Sequence, residues 1–107
     1  MTTRSDRVFA ALSDPTRRQL LEWLDDEAAT ATAFAERLPI SRQAVAKHLS
    51  ELSNAGLVSS RRSGRETIFS ADSDGLAPAR DWLDQRAALW EARLQRLAEV
   101  ARSSPKK

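Results

Sequence analysis

Arg42, Gln43 and Lys47 fall within one short stretch of this chain, and Arg61, Arg62 and Arg65 gather around Gly64. Together these side chains offer recognition of a nucleic acid. Arg and Gln are forked hydrogen-bonding groups that match the major-groove edges of guanine and adenine respectively, while Lys47 reaches either a base or a phosphate. Ala46, between them, is small enough for close approach or for contact with a thymine methyl, and the Ser41 hydroxyl caps a helix or bonds a phosphate. The arginines around Gly64 suit a phosphate backbone or a narrow minor groove.

Bond-making chemistry has much less to work with. The chain has no Cys, which excludes disulfides, thiolate metal sites and cysteine nucleophiles. Its one His, His48, borders the buried Leu49 and reads as a partly packed side chain making one hydrogen bond. No glycine-rich phosphate loop and no strand-turn-helix elbow accompany any Ser. The chain therefore reads as no enzyme, with no cofactor and no metal ligands.

Helices and a hairpin are needed to position these groups. Val8, Phe9 and Leu12 recur at helical spacing in a first short helix, which Asp14-Pro15 ends while starting a second: Asp as cap, Pro at the first position. That second helix runs to about Asp26, with Leu20, Leu21, Trp23 and Leu24 along its stripe. Thr16, Arg17 and Arg18 at its start are further candidates for phosphate contact. A third short helix is expected from Thr30 or Thr32 to Leu38, burying Ala33, Phe34, Ala35 and Leu38 and stopped by Pro39. Ser41 caps a fourth, so about three residues separate the pair, the spacing of a helix-turn-helix. On the fourth helix Val45, Leu49 and Leu52 lie within about 60° of one another, opposite Gln43, Lys47, Ser50 and Asn54. One face anchors and the other is free.

Asn54-Ala55-Gly56 is a helix stop, after which two short segments, 57–62 and 66–71, flank Ser63-Gly64-Arg65 as a β-hairpin with a basic tip. The helical period returns from Leu76 or Pro78 to about Arg102. There Leu76, Leu83, Trp90 and Leu97 recur every seven residues, Ala87, Leu94 and Ala101 widen the stripe, and Trp82 and Leu89 add a second apolar edge. That is more apolar face than a chain of 107 residues covers by itself, so a homodimer is expected. Residues 1–102 are expected to form one domain that includes the dimerisation helix 76–102, with 103–107 as a polar tail. The net charge of +2 is modest, yet residues 41–67 carry five basic and two acidic groups, net +3, against −2 over 1–40 and +1 over 68–107. With no apolar run near the roughly 20 residues that cross a bilayer and no apolar leader at the start, a soluble cytoplasmic protein is expected, with no membrane partner.

Ala11-Leu12-Ser13-Asp14-Pro15-Thr16-Arg17-Arg18-Gln19-Leu20-Leu21 resembles the opening signature of the ArsR family of bacterial transcriptional repressors. The stretch Ile40 to Leu52, followed by Ala55-Gly56-Leu57-Val58, resembles that family's recognition helix and entry to its wing. The resemblance implies a mainly α fold with a small β-hairpin, a winged helix-turn-helix of order helix 1-2-3-4, hairpin, helix 5. It further implies a homodimer paired through its first and last helices, docked on a palindromic operator of double-stranded DNA and repressing by blocking polymerase. Ser41, Arg42, Gln43, Ala46, Lys47, Arg61, Arg62 and Arg65 are the expected DNA-binding residues. Val8, Phe9, Leu83, Ala87, Trp90, Leu94 and Leu97 are the expected dimer interface.

Many members of that family sense metals through Cys or His/Asp/Glu clusters, and this chain lacks the thiolates and imidazoles for such a site. Asp81-Trp82-Leu83 and Trp90-Glu91 resemble a metal-free branch with Trp at the dimer seam. The relieving signal stays open between a small apolar molecule held between the last helices and the protein's own abundance. Two rival readings also remain. An Arg-rich hairpin alone is often a solvated edge that discourages aggregation, although the helix pair before it favours DNA. A helical interaction module that dimerises without specific DNA binding shares everything except a groove-facing Arg42, Gln43 and Lys47.

Overall fold

The computed structural model describes residues 2–103. Five helices and one hairpin follow in order: α1 Arg4–Leu12, α2 Pro15–Asp26, α3 Ala31–Ala35, α4 Arg42–Asn54, β1 Val58–Ser63, β2 Glu66–Ala71, a 3-10 turn Ser73–Leu76, and α5 Ala77–Ser103. The fold is mainly α with a two-stranded antiparallel wing, in the expected order. Within the expected tail, Ser103 closes α5 and residues 104–107 lie outside the described residues.

Polar side chains start four of the helices. Thr3 and Asp6 form a reciprocal capping box on α1, Asp14 accepts from the N–H groups of Thr16 and Arg17 at the start of α2, and Thr30 and Ser41 cap α3 and α4. The stop of α4 is a Schellman motif: Leu57 N–H donates to the Leu52 carbonyl at 3.0 Å and Gly56 N–H to that of Ser53 at 3.0 Å. This places Gly56 at φ 81, a left-handed conformation that glycine adopts without a Cβ clash. Gly64 at φ 62 is the first of two central residues between the paired Ser63 and Glu66, as a type II′ hairpin turn requires.

The core is where these helices meet. Val8 and Ala11 of α1, Leu20 and Leu24 of α2, Phe34 of α3, and Val45, Leu49 and Leu52 of α4 close on one another with Leu57, Val58 and Ala79. Trp23 stacks on Phe34 with ring centres 5.6 Å apart and is covered by the Arg37 guanidinium at 3.9 Å. Ala29 pairs with Phe69 through two backbone bonds of 3.0 and 2.8 Å, tying the segment before α3 to the wing. That bridge has no signal in the sequence.

Three expectations are corrected. The third helix ends at Ala35, not Leu38, so six residues rather than three connect it to α4. Pro39 disfavours the α conformation at Leu38, and Arg37 N–H already tightens onto the Phe34 carbonyl at 3.0 Å. Ala33, expected on the buried side, is exposed, because a five-residue helix seats a single large side chain, Phe34, in the core. Val8, expected at a dimer interface, is 1% exposed and belongs to the chain's own core. It shares the inward face of α1 with Ala11, three residues on.

Candidate nucleic-acid interface

Helix α4 has one locked face and one free face. Val45, Leu49 and Leu52 are fully buried, whereas Arg42, Gln43, Ala46, Lys47, Ser50 and Asn54 are exposed. Burial of the apolar face fixes the rotation of the helix about its axis, and with it the direction of the other side chains. Ser41 precedes them, its Oγ accepting from Ala44 N–H at 3.1 Å. The hydroxyl is therefore a cap, with its hydrogen free to donate outward.

The hairpin sorts its arginines by pleat. Arg62 is paired across the strands with Thr67, Ser60 with Phe69, and Arg61 with Ile68. Since successive strand residues face opposite ways, Arg62, Thr67 and Phe69 share a face that Arg61 does not. That shared face, together with the starts of α3 and α4, encloses a cavity of about 270 Å³ lined by Arg42, Ala46, Arg62, Arg65, Thr30, Thr32 and Thr67 among others. The structure thus brings Arg42, Ala46, Arg62 and Arg65 together, keeps Gln43 and Lys47 on the exposed face of the same helix, and turns Arg61 to the wing's other side.

These cations are unneutralised. Among the described residues the ion pair within 4.0 Å is Arg17 with Asp14, and no carboxylate stands that close to Arg42, Lys47, Arg61, Arg62 or Arg65. Arginines without an acidic partner lining one concave surface, as Arg42, Arg62 and Arg65 do, create a positive potential that draws polyanions. Arg17 and Arg18 do not join them. Arg17 Nε donates to the Ala11 carbonyl at 2.6 Å and Arg18 to that of Leu12 at 2.6 Å, so both are engaged at the end of α1 rather than held ready for phosphate.

Behind the interface sits a polar pair on neighbouring elements. The Asp14 carboxyl is held below the ordinary carboxylate range by the Arg17 backbone N–H, with help from the Thr16 N–H and the charges of His48 and Arg17, while partial burial acts the other way. His48 is half-buried and its Nδ1 is enclosed with no hydrogen-bond partner among the described residues, where one bond was expected. No group of three or more His, Cys, Asp or Glu side chains suited to a metal ion occurs among the described residues.

The other expected surface is α5. Leu83, Trp90, Leu94 and Leu97 are 52–66% exposed, Ala87 is exposed, and Phe9 is half-buried with its ring edge-on to Trp82 at 5.5 Å. Sequence reasoning missed Arg86, which lies over the Trp82 ring at 5.0 Å with an enclosed Nε. Its seat among apolar residues at helical spacing was the available signal. Among the described residues no helix is long and apolar enough to cross a membrane.

A capped helix pair whose second member turns an unpaired cationic face outward beside a basic two-stranded wing defines a winged helix-turn-helix. Residues 12–61 match the family model described as a helix-turn-helix domain. Over 80 residues the chain is 40% identical to the HTH-type transcriptional regulator Rv2034 of Mycobacterium tuberculosis, covering 75% of each. It is 35% identical to the transcriptional repressor SdpR of Bacillus subtilis, covering 73% of this chain and 87% of that one. Among solved structures, an ArsR-like transcriptional regulator from Rhodococcus sp. RHA1 superposes with a TM-score of 0.80 at 40% identity, over 94% of this chain and 95% of that one. The homodimeric winged helix-turn-helix DNA-binding domain of Mb0332 from Mycobacterium bovis superposes with a TM-score of 0.64 at 26% identity, over 79% and 78% of the two chains. The chain belongs to the ArsR family of winged helix-turn-helix transcriptional regulators, a family of regulators and not of enzymes.

Proposed function

We propose that this protein is a cytoplasmic repressor that binds a palindromic operator in double-stranded DNA as a homodimer. The observation that carries the reading is the orientation of α4: its apolar face is locked in the core while Arg42, Gln43 and Lys47 face solvent, the two cations without an acidic partner among the described residues. Arg42 and Gln43, in the first turn, read base edges; Lys47 and the wing arginines supply phosphate neutralisation, and Ser41 and Ala46 complete the contact. The name of the SdpR relative supports repression.

Residues 1–102 act as one unit, with α5 as the seam. Its exposed Leu83, Trp90, Leu94 and Leu97, with Ala87 and the Phe9 edge, pair with the same surface of a second copy. The homodimeric Mb0332 domain supports this arrangement. Two-fold pairing sets the α4 helices about 34 Å apart, one turn of the duplex.

The regulator does not sense metal through thiolate or imidazole ligands, since the chain has no Cys and the Nδ1 of its single His is enclosed. Zinc added to the protein–DNA complex therefore leaves the affinity unchanged. A gel-shift with the region upstream of the protein's own gene tests the main reading. A specific shift that Arg42→Ala removes is expected; the absence of any specific shift for the wild type points instead to a dimeric interaction module.

A further inference from the structure

The cavity between α3, α4 and the wing holds groups that base reading does not use. Arg62 and Thr67 are cross-strand partners on its wall, Thr32 stands opposite at the start of α3, and Ala31, Ala46 and Phe69 add apolar lining. Neither the Thr32 nor the Thr67 hydroxyl makes a hydrogen bond among the described residues, whereas the Thr30 oxygen is occupied by Ala33 N–H at 3.1 Å. Glu66 also lines the cavity, but by the pleat it belongs to the face opposite Thr67. Two free hydroxyl donors and the residues Arg42, Arg62 and Arg65 line a space of about 270 Å³, and among the described residues no carboxylate lies within 4.0 Å of those cations. This donor set matches a tetrahedral oxyanion, which takes hydrogen bonds from several directions at once.

We propose that this cavity seats one phosphodiester of the bound DNA strand, held by Arg62 and by the hydroxyls of Thr32 and Thr67. The inference rests on the DNA-binding reading and deepens it. Because Arg42 borders the same cavity, a phosphate fixed there sets how far the first turn of α4 advances along the groove. Thr32 and Thr67 are thus positioning residues for Arg42 and Gln43, without sequence preference of their own.

Fluorescence anisotropy with an operator duplex and an unrelated duplex, each over a series of salt concentrations, tests the seat. Thr32→Val and Thr67→Val keep side-chain volume and remove only the hydroxyl, and Val is at home in a strand. Each is expected to weaken both duplexes by about the same factor, roughly threefold to tenfold, with the salt slope unchanged and the thermal midpoint preserved. Thr32→Ser and Thr67→Ser restore binding. Arg62→Gln weakens both duplexes and makes the log–log salt slope shallower by about 0.9 per protomer. Valine variants that bind like wild type while Arg42→Ala still loses operator preference overturn the seat and leave the proposed function standing. A wild type that binds neither duplex takes both down. Inorganic phosphate titrated at constant ionic strength competes for the same donors, so the loss of DNA affinity it causes is expected to shrink in Thr32→Val and Thr67→Val; a loss of equal size in wild type and in both variants overturns the seat.

Discussion

Arg42 and Lys47 are cations on one face of α4, yet their loss should be read differently. Arg42→Ala removes a forked donor from the first turn, costing about 1–3 kcal/mol of discrimination at one base position, measurable by binding to a set of single-base operator variants. Lys47→Ala instead weakens all duplexes alike and makes the salt slope shallower by about 1 for each phosphate left without its cation. Asp14 gives a pH prediction. Its carboxyl is held below the usual value of 3.8 by the Arg17 backbone N–H first, so it adds stability above that value and loses it as pH falls through the lower folded-state value. Asp14→Asn keeps a competent cap without the titration, and its thermal midpoint should fall less steeply than that of wild type on acidification below about pH 4. At this scale the candidate base readers were legible, because capping and periodicity place side chains on a helix face. The role of Arg17 was not. Its guanidinium serves carbonyls of α1, a contact across the helix junction that composition does not reveal.

Each element that presents the interface is held by a few local devices. Leu49, buried in the centre of α4, anchors the helix, and Leu49→Ala should cost about 2–5 kcal/mol in urea denaturation. Gly75 is more specific to this fold. A Cβ there would collide with the Gly56 carbonyl, so Gly75→Ala forces apart the end of α4 and the turn that starts α5. Lower stability is the expected result, seen as a decreased denaturation midpoint with unchanged helical circular dichroism in the native baseline. Gly56, Gly64 and Asp14-Pro15 could be read as punctuation in advance, since each answers a local backbone demand. The Gly75 approach and the Ala29–Phe69 bridge could not, because each joins segments brought together only by packing of the helices around one core. The end of α3 was misplaced for a related reason: Pro39 marked a stop, but the backbone had already tightened at Phe34 and Arg37.

The whole molecule measures 77 Å along its longest axis against 27 and 26 Å across. Among the described residues Ala79 is the single buried one along α5, and none of the others covers Leu83, Trp90, Leu94 and Leu97. Leu94→Glu places charge in the centre of that stripe and is expected to give a monomer by light scattering where wild type is a dimer, and to lower operator affinity because the two half-sites are no longer bound together. With about four phosphate contacts per protomer, the wild-type binding constant should fall with salt at a log–log slope of about −7; a slope near −3.5 would indicate one bound protomer. The succession of helices, their capped starts, the glycine stops, the basic hairpin and the seven-residue recurrence of α5 were all determined by the sequence, because each depends on neighbours within a few turns. Only the tertiary structure decided that Val8 faces inward and that Arg17 and Arg18 are engaged by α1. It alone brought Arg42, Arg62, Thr32 and Thr67 around one cavity, since those groups lie on three elements whose approach is set by how side chains distant in the chain fill a common core.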